Sequence, residues 1–523
     1  MALGLTVETS DSQWTAVATG LVGIPVSINI AAHVATVYNN GTSAQAGIPT
    51  GDQDANGFTV VPEASADTTT IYVSTSGSDS ANGLTSGTAV QTIAHALSLF
   101  PAGHPAWLLL KCGDTWTTAL GIWQWSGNSA TEVSLISSYG SGAPPKIDYA
   151  EATHFELGIY GKHHLYIIGI DFTAHTRNPS DGAYSATDAG RILTAMHIGR
   201  DATNILLEDC AVSWLSGAFN FSNEDAPIAG VRVRRCKISN VYTLAGSSGG
   251  MFMDWISDVT IEDNVCDYCG WNPDTTPREW LNHSMYLSYD SSGWTTQNNL
   301  VTRGSGNGIM QRASGLCTGN LFSDNANSIV CGNTGSDGTH GYLSDAGTIT
   351  NNTILHSIDL KVGTHAGSGI HISTSNPASL VDGNIMAHCG GSDNSQTPQY
   401  QNCGAVVIDE PLNHVDNQPF TTTITLTGNV VYDWHSTFLA TDDVLTTGTH
   451  TIRTITYTLG SNQVSPYGLL DPTRDIAAYS AYLGDAGTLD DFVAKALANR
   501  KSNYDVRYTT QAANTWIRAG YNK

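Results

Sequence analysis

Eight short segments of this chain end alike: ILLEDC (205–210), VRVRRC (231–236), VTIEDN (259–264), TTQNN (295–299), LCTGN (316–320), TITNN (348–352), LVDGN (380–384) and TLTGN (425–429). Their last residues are Cys210, Cys236, Asn264, Asn299, Asn320, Asn352, Asn384 and Asn429, at intervals of 26, 28, 35, 21, 32, 32 and 45 residues. Equal strands separated by unequal loops mark a coil repeat, in which each turn of chain adds one strand to a sheet. An amide recurring at the same corner can hydrogen-bond to the coils above and below, as in other asparagine ladders. The sequence therefore predicts a parallel β-solenoid, an all-β fold whose coils touch only their neighbours.

A second strand per coil keeps the same period. Apolar pairs two residues apart occur at Met196/Ile198, Phe219/Phe221, Met251/Met253, Met285/Leu287, Ile329/Cys331, Ile370/Ile372 and Val406/Ile408, with Ile309/Gln311 the one mixed pair. Strand side chains alternate between faces, so these pairs, Gln311 excepted, are expected to point inward. Two outward columns follow. One is His197, Asn220, Phe252, Tyr286, Met310, Val330, His371 and Val407; the other is Gly199, Ser222, Asp254, Ser288, Arg312, Gly332, Ser373 and Asp409. With coils ~4.8 Å apart, this long face suits a linear polymer.

Composition fits. The chain has 523 residues, 41% of them hydrophobic, with 53 glycines and 13% charged residues. Glycine and small polar residues supply the corners of such a stack. No run of 18 apolar residues occurs, so the sequence predicts no membrane span. A net charge of −24 argues against nucleic acid, which needs a basic footprint. It also disfavours unaided binding of a strongly anionic polymer, unless a local basic site or Ca²⁺ intervenes. The nine cysteines read as buried free thiols. Cys266 and Cys269 form a lone CxxC with no second half, a weak metal signal. The opening MALGLTVETSDSQW shows neither a basic nor an apolar leader region, so it reads as made without a signal peptide or with one removed.

Along the chain, residues 1–65 read as a small N-terminal β domain, 66–455 as the solenoid and 456–523 as a C-terminal extension. A helix bearing Ile93, Ala96, Leu97 and Phe100 on one face is expected to cover the open N-terminal end. In the extension, TLDDFVAKALANR (488–500) and TTQAANTWIRAG (509–520) read as two short helices, N-capped at Thr488 and closed at Gly520, that plug or brace the far end.

The run YVSTSGSDSANG, then TIAHAL, then LLLKCGDTW resembles the N-terminal signature of right-handed parallel β-helix proteins of the pectate-lyase-like superfamily. HSMYLS (283–288) is similar to the His-Gly-Ile-Tyr strand of many members. The ending DPTRDIAAYSAYLG…YTTQAANTWIRAGYN resembles a tail on bacterial and phage-encoded members. The resemblance implies a right-handed β-helix, and covers polysaccharide lyases, glycoside hydrolases, epimerases, phage tailspikes and inert adhesins. It also implies a virion or extracellular setting, with the N-terminal domain as an attachment segment and a homotrimer as the assembly. An uncharged outward column, including Val330 and Val407, would bury against the partner copies.

Chemistry is expected where ionisable groups meet the longer inserts. Asp254 and Arg312 share an outward column two coils apart, with Ser288 between them, and His283 and Tyr286 lie on the intervening strand. The insert 269–282 supplies Trp271, Glu279 and Trp280, and aromatic rings beside carboxylates suit a saccharide. Trp255 and His371 complete the expected substrate contacts, and Glu224 or Asp225 offers a second carboxylate. Each has a structural alternative: Asp254 capping a turn, Arg312 pairing with an acid, His283 and Tyr286 packing at a corner, and the tryptophans pinning the insert. The column Glu208, Arg234 and Glu262, and its neighbour Asp209, Arg235 and Asp263, read as inter-coil charge pairing. A hydrolase would use Asp254 with Glu224, Asp225 or Glu279 as its carboxyl pair. A lyase would use Arg312 or His283 as base, with Ca²⁺ or arginine neutralising a uronate. No compact aspartate cluster demands Ca²⁺, so hydrolysis without a cofactor leads. The remaining alternative is a non-catalytic glycan-binding or structural spike.

Overall fold

A computed structural model describes residues 5–10, 13–18, 49, 51–149, 155–222, 228–279, 281–288, 291–312, 315–332, 347–358, 367–372, 378–389, 404–408, 422–434, 436–438, 448–452, 455–463 and 468–523. The chain forms two compact units, residues 1–44 and 45–523. In the first, strands Leu5–Ser10 and Gln13–Ala18 pair as an antiparallel hairpin. The unit boundary lies earlier than the expected residue 65. Phe58 and Thr59 are buried in the larger unit, where Thr59 donates to the Glu208 carboxylate and Arg235 lies over the Phe58 ring.

The larger unit is a solenoid of three sheets, with three strands per coil rather than the two read from the sequence. Among the described residues, the first sheet holds 14 strands and the other two hold 11 each. Each coil runs from a strand of the first sheet through a tight corner to a short strand of the second, and then to the third. Neighbouring coils pair in parallel, as in Ile205↔Val231 and Val231↔Val259. The second sheet escapes a period-based reading because many of its strands have only three residues, such as Leu300–Thr302 and Leu321–Ser323.

The corner after the first sheet holds the predicted ladder. Asn264 Nδ2 donates to Asn299 Oδ1 at 2.9 Å and to the Val233 carbonyl at 2.9 Å, while its backbone N–H reaches the same Oδ1 at 3.1 Å. The same arrangement repeats through Asn299, Asn320, Asn352, Asn384 and Asn429. It ends at Asn462, one step beyond the segments recognised in the sequence. Cys236 starts the ladder through its backbone N–H alone, 2.9 Å from Asn264 Oδ1. The residue before each ladder position is left-handed: Asp263 has φ 58°, Asn298 55°, Asn351 55° and Gly383 64°. Asparagine, aspartate and glycine tolerate that conformation best, which explains the recurring DN, NN and GN endings.

The apolar pairs fill the interior as expected, apart from Ile408, whose side chain lies outside the described residues, and Gln311 joins them. It is 1% exposed, and its amide oxygen accepts from Thr296 Oγ1 at 3.3 Å. This satisfied polar contact reverses the expectation that Gln311 points out. The eight described cysteines are free, and all but Cys112 are buried. Cys266 and Cys269 pack in the core, where the neighbouring Cys266 and burial push the Cys269 thiol well up.

At the N-terminal end, the helix Ile93–Ser98 places Ile93 and Ala96 in the core, and Phe100, just past its end, joins them. The C-terminal extension departs from expectation. Its strand Ile455–Gly460 is the last parallel strand of the first sheet, and three helices follow: Ile476–Tyr482, Leu489–Ala498 and Thr510–Gly520. They do not plug an end. They lie along the flank of the second sheet, where Val265, Leu300, Leu321, Leu355, Ile385 and Val430 pack with Tyr479, Phe492, Val493 and Ile517. Short strands with two of three side chains outward cannot hide these apolar residues inside, so another element must cover them. Further back, Arg500 pairs with Asp209 and Asp171, both at 2.8 Å. The charge columns hold as inter-coil pairs, Arg234 with Glu208 and Arg235 with Asp263.

Candidate active site on the third sheet

The third sheet sets its outward column in the predicted register. His197 pairs with Asn220, Asn220 with Phe252, Phe252 with Tyr286, and Tyr286 with Met310. The column continues to Val330, His371 and Val407. The second column is also in register: the N–H groups of Asp254, Ser288 and Arg312 bond to the carbonyls of Phe221, Met253 and Leu287, each at 2.8 Å. Asp254 and Arg312 are thus two strand steps apart, ~10 Å along the face. Ser373 and Asp409 lie outside the described residues.

Four expected residues converge. The Phe252 and Tyr286 rings stack at 5.3 Å with planes 6° apart. His283 stacks on Tyr286 at 5.1 Å and 15°, and the Arg312 guanidinium lies 5.3 Å from the Tyr286 ring centre. Burial pushes the Tyr286 hydroxyl up, against the pull of Arg312 and with the push of Asp254. Asp254 is half-buried and, among the described residues, its carboxylate takes no hydrogen bond or ion pair. Phe252 and Trp255, on either side of it, are each 40% exposed. A carboxyl that accepts no hydrogen bond caps no turn, so the structural alternative for Asp254 falls away.

His283 has a different place from the one expected. It is 7% exposed, its Nδ1 lies 3.1 Å from Asn307 Nδ2, and burial together with Arg312 pushes it down to about 3. A neutral imidazole under the Tyr286 ring positions that ring and does not touch a ligand on the face. It cannot serve as the exposed base considered for a lyase. Trp271 also differs. Its indole N–H donates to the Arg303 carbonyl at 2.6 Å, and Arg278 covers its ring at 4.4 Å. It pins the insert on the second-sheet side, with Tyr268 5.4 Å away, and does not wall the groove. Glu279 is exposed, with its backbone held by Ser305. Glu224, Asp225 and Trp280 lie outside the described residues.

The column closes further along. Met310, Val330, His371 and Val407 are 6%, 3%, 4% and 2% exposed. His371 is thereby withdrawn from the open part of the face. Val330 and Val407, expected to offer a free apolar surface to partner copies, are buried within the chain, which removes that argument for a trimer. The accessible face instead extends the other way, through the first members of the outward column, His197 and Asn220, to Phe155 and Tyr160, which the sequence did not single out. Phe155, Tyr160 and His197 form an edge-to-face cluster, and His197 bonds Tyr160 and Ser222 at 3.2 and 3.1 Å. Asn220, between His197 and Phe252, has a buried Oδ1 without a partner among the described residues. The signal was present: Leu157 and Ile159 form one more inward pair, a coil ahead of Met196 and Ile198.

A family model described as the right handed beta helix region matches residues 194–345. The chain is a right-handed parallel β-helix. The matched span contains His197, Phe252, Asp254, Tyr286 and Arg312. Among solved structures, a rhamnogalacturonan lyase is 11% identical, with 76% of this chain and 86% of that one covered and a TM-score of 0.42. The Dettilon tailspike protein is 14% identical, with 73% and 72% covered and a TM-score of 0.38. A GH136 lacto-N-biosidase from Eubacterium ramulus is 12% identical, with 69% and 67% covered and a TM-score of 0.34. At these values the likeness is one of chain path only. No curated protein matches.

Proposed function

We propose that the outward face of the third sheet of this β-helix binds a polysaccharide and cleaves its glycosidic bonds, with Asp254 as the carboxyl that exchanges the proton. The observation that carries this reading is the Asp254 carboxyl, without a protein partner among the described residues, beside the stacked Phe252 and Tyr286 rings. Sugar rings pack their C–H faces on aromatic planes, and ~10 Å from Asp254 to Arg312 spans about one to two sugars. Hydrolysis needs a second carboxyl, ~5 Å away for retention or ~6.5–9.5 Å for inversion. Glu224 and Asp225, shortly after the neighbouring strand Gly217–Phe221, are the candidates for it. A single carboxylate is no calcium cage, which takes six to eight oxygens, so the residues described on this face do not fit Ca²⁺.

β-Elimination is the second reading, and Arg312 favours it. Its guanidinium beside Tyr286 would neutralise a uronate carboxylate while a base on the same face takes the neighbouring proton. A virion or extracellular surface suits either chemistry. Reducing-end release and formation of an unsaturated product, measured on a panel of bacterial and plant polysaccharides, separate the two. Asp254→Asn is expected to lose roughly 10²–10⁴-fold in rate with substrate binding kept. Full activity in that variant would move the site elsewhere on the solenoid. Binding without cleavage by the unaltered protein would make it a glycan-binding spike.

A further inference from the structure

A cleft on the flank of the second sheet, away from the polysaccharide face, has the makings of a second binding site. It is a small, solvent-open cleft where the C-terminal helices, a strap along the flank, meet the solenoid, and it is lined by Arg235, Lys237, Asp263, Tyr504, Thr510 and Gln511 among others. Lys237 occupies an outward column that reads Ala211, Lys237, Val265, Leu300 and Leu321. The same column begins with Lys146 and Asp171 before Ala211, so Lys237 is the last charged residue before the apolar run. It is 7% exposed, and its amine makes no hydrogen bond or ion pair among the described residues. Burial pushes it down to about 8, against the pull of Asp209 and Asp263.

The other walls are also electropositive on balance. The 11-residue helix Thr510–Gly520 points its first turn into the cleft, and Thr509 caps only the Ala512 N–H. The unbonded N–H groups at such a terminus favour an anion. Arg235 is fixed between the Phe58 and Tyr504 rings, at 4.3 and 5.6 Å. The one carboxylate in the lining, Asp263, is already engaged by Arg235 at 3.5 Å and by Gln511. An ammonium on a mostly buried side chain at the mouth of a cleft, with no bonded partner among the described residues, gains from a bound anion.

We propose that this cleft binds a small oxyanion, held by the Lys237 amine and the first-turn N–H groups of the helix Thr510–Gly520. Binding joins the strap to the solenoid, because the ligands come from both. The net charge of −24 works against non-specific anion uptake, so a saturable response is informative.

The test is thermal unfolding and calorimetric titration of the full chain with inorganic phosphate and, separately, with glucuronate, at constant ionic strength set by chloride. A saturable rise in Tm with phosphate identifies a free oxyanion, and one with glucuronate identifies an acidic-sugar carboxylate; either supports the proposal. Lys237→Met should weaken binding at least about tenfold and raise the Tm in anion-free buffer, since it removes the uncompensated charge. Lys237→Gln serves the same purpose if the methionine variant does not fold. No saturable response to either anion, or an equal response in the Lys237 variant, overturns the proposal.

Discussion

Asp254, Phe252 and Tyr286 show how a single position on a solenoid acquires chemistry. Each is one step of a column whose other members are ordinary, and the stack brings two rings and a carboxyl together without a dedicated loop. Phe252 is 40% exposed, so its removal should spare the fold. Phe252→Ala is expected to weaken glycan binding roughly tenfold, the loss of one stacking surface, with an unchanged unfolding midpoint; affinity electrophoresis on the substrate gel measures the first and denaturant titration the second. The columns themselves were legible, because a period of two residues inside a repeating coil fixes which side chains face out. Depth was not. His371 and Val407 obey the same alternation as Phe252 yet are buried, since exposure depends on what covers a strand and not on its own pattern. Trp271 and His283 fail for a related reason: a residue type suited to sugar binding is equally suited to pinning an insert or supporting a ring.

At the scale of elements, the asparagine corner was readable because left-handed geometry restricts the residue before it and the ladder restricts the residue itself. The covering strap was not read, although its mark is in the sequence. The residue after each ladder asparagine from 264 to 429 is Val265, Leu300, Leu321, Thr353, Ile385 or Val430, a mostly apolar column that faces out and demands a lid. That column belongs to strands too short to announce themselves by alternation. Phe492, fully buried between the strap and this column, tests the arrangement. Phe492→Ala should cost about 3–5 kcal/mol, read as a lower denaturant midpoint, and amide exchange should accelerate first in the second-sheet strands beneath the helix. Equal exchange in all three sheets would show that the strap is not a separate stabilising layer.

For the whole molecule, one buried acid sets an expected pH response. Glu156 is wholly buried, with both oxygens unpartnered among the described residues, and burial, helped by Asp148, raises its carboxyl well above the ordinary range. Such a group binds its proton more tightly in the folded state. Its contribution is therefore most favourable below the ordinary carboxylate pKa of ~4.3 and declines as pH rises toward the folded value. Glu156→Gln should raise the Tm at neutral pH, with the gain shrinking as pH falls toward 4; a constant difference across that range would contradict the assignment. The ladder has its own consequence at this scale. Its rungs are separated by as few as 21 and as many as 45 residues of chain, yet every rung has the same bonds. Lengthening a loop twofold costs only about 0.6 kcal/mol, and the spine keeps the pitch. Natural variation can therefore redraw the groove, exchanging short crossings for long ones, while the ruler that spaces its aromatic and charged groups stays unchanged.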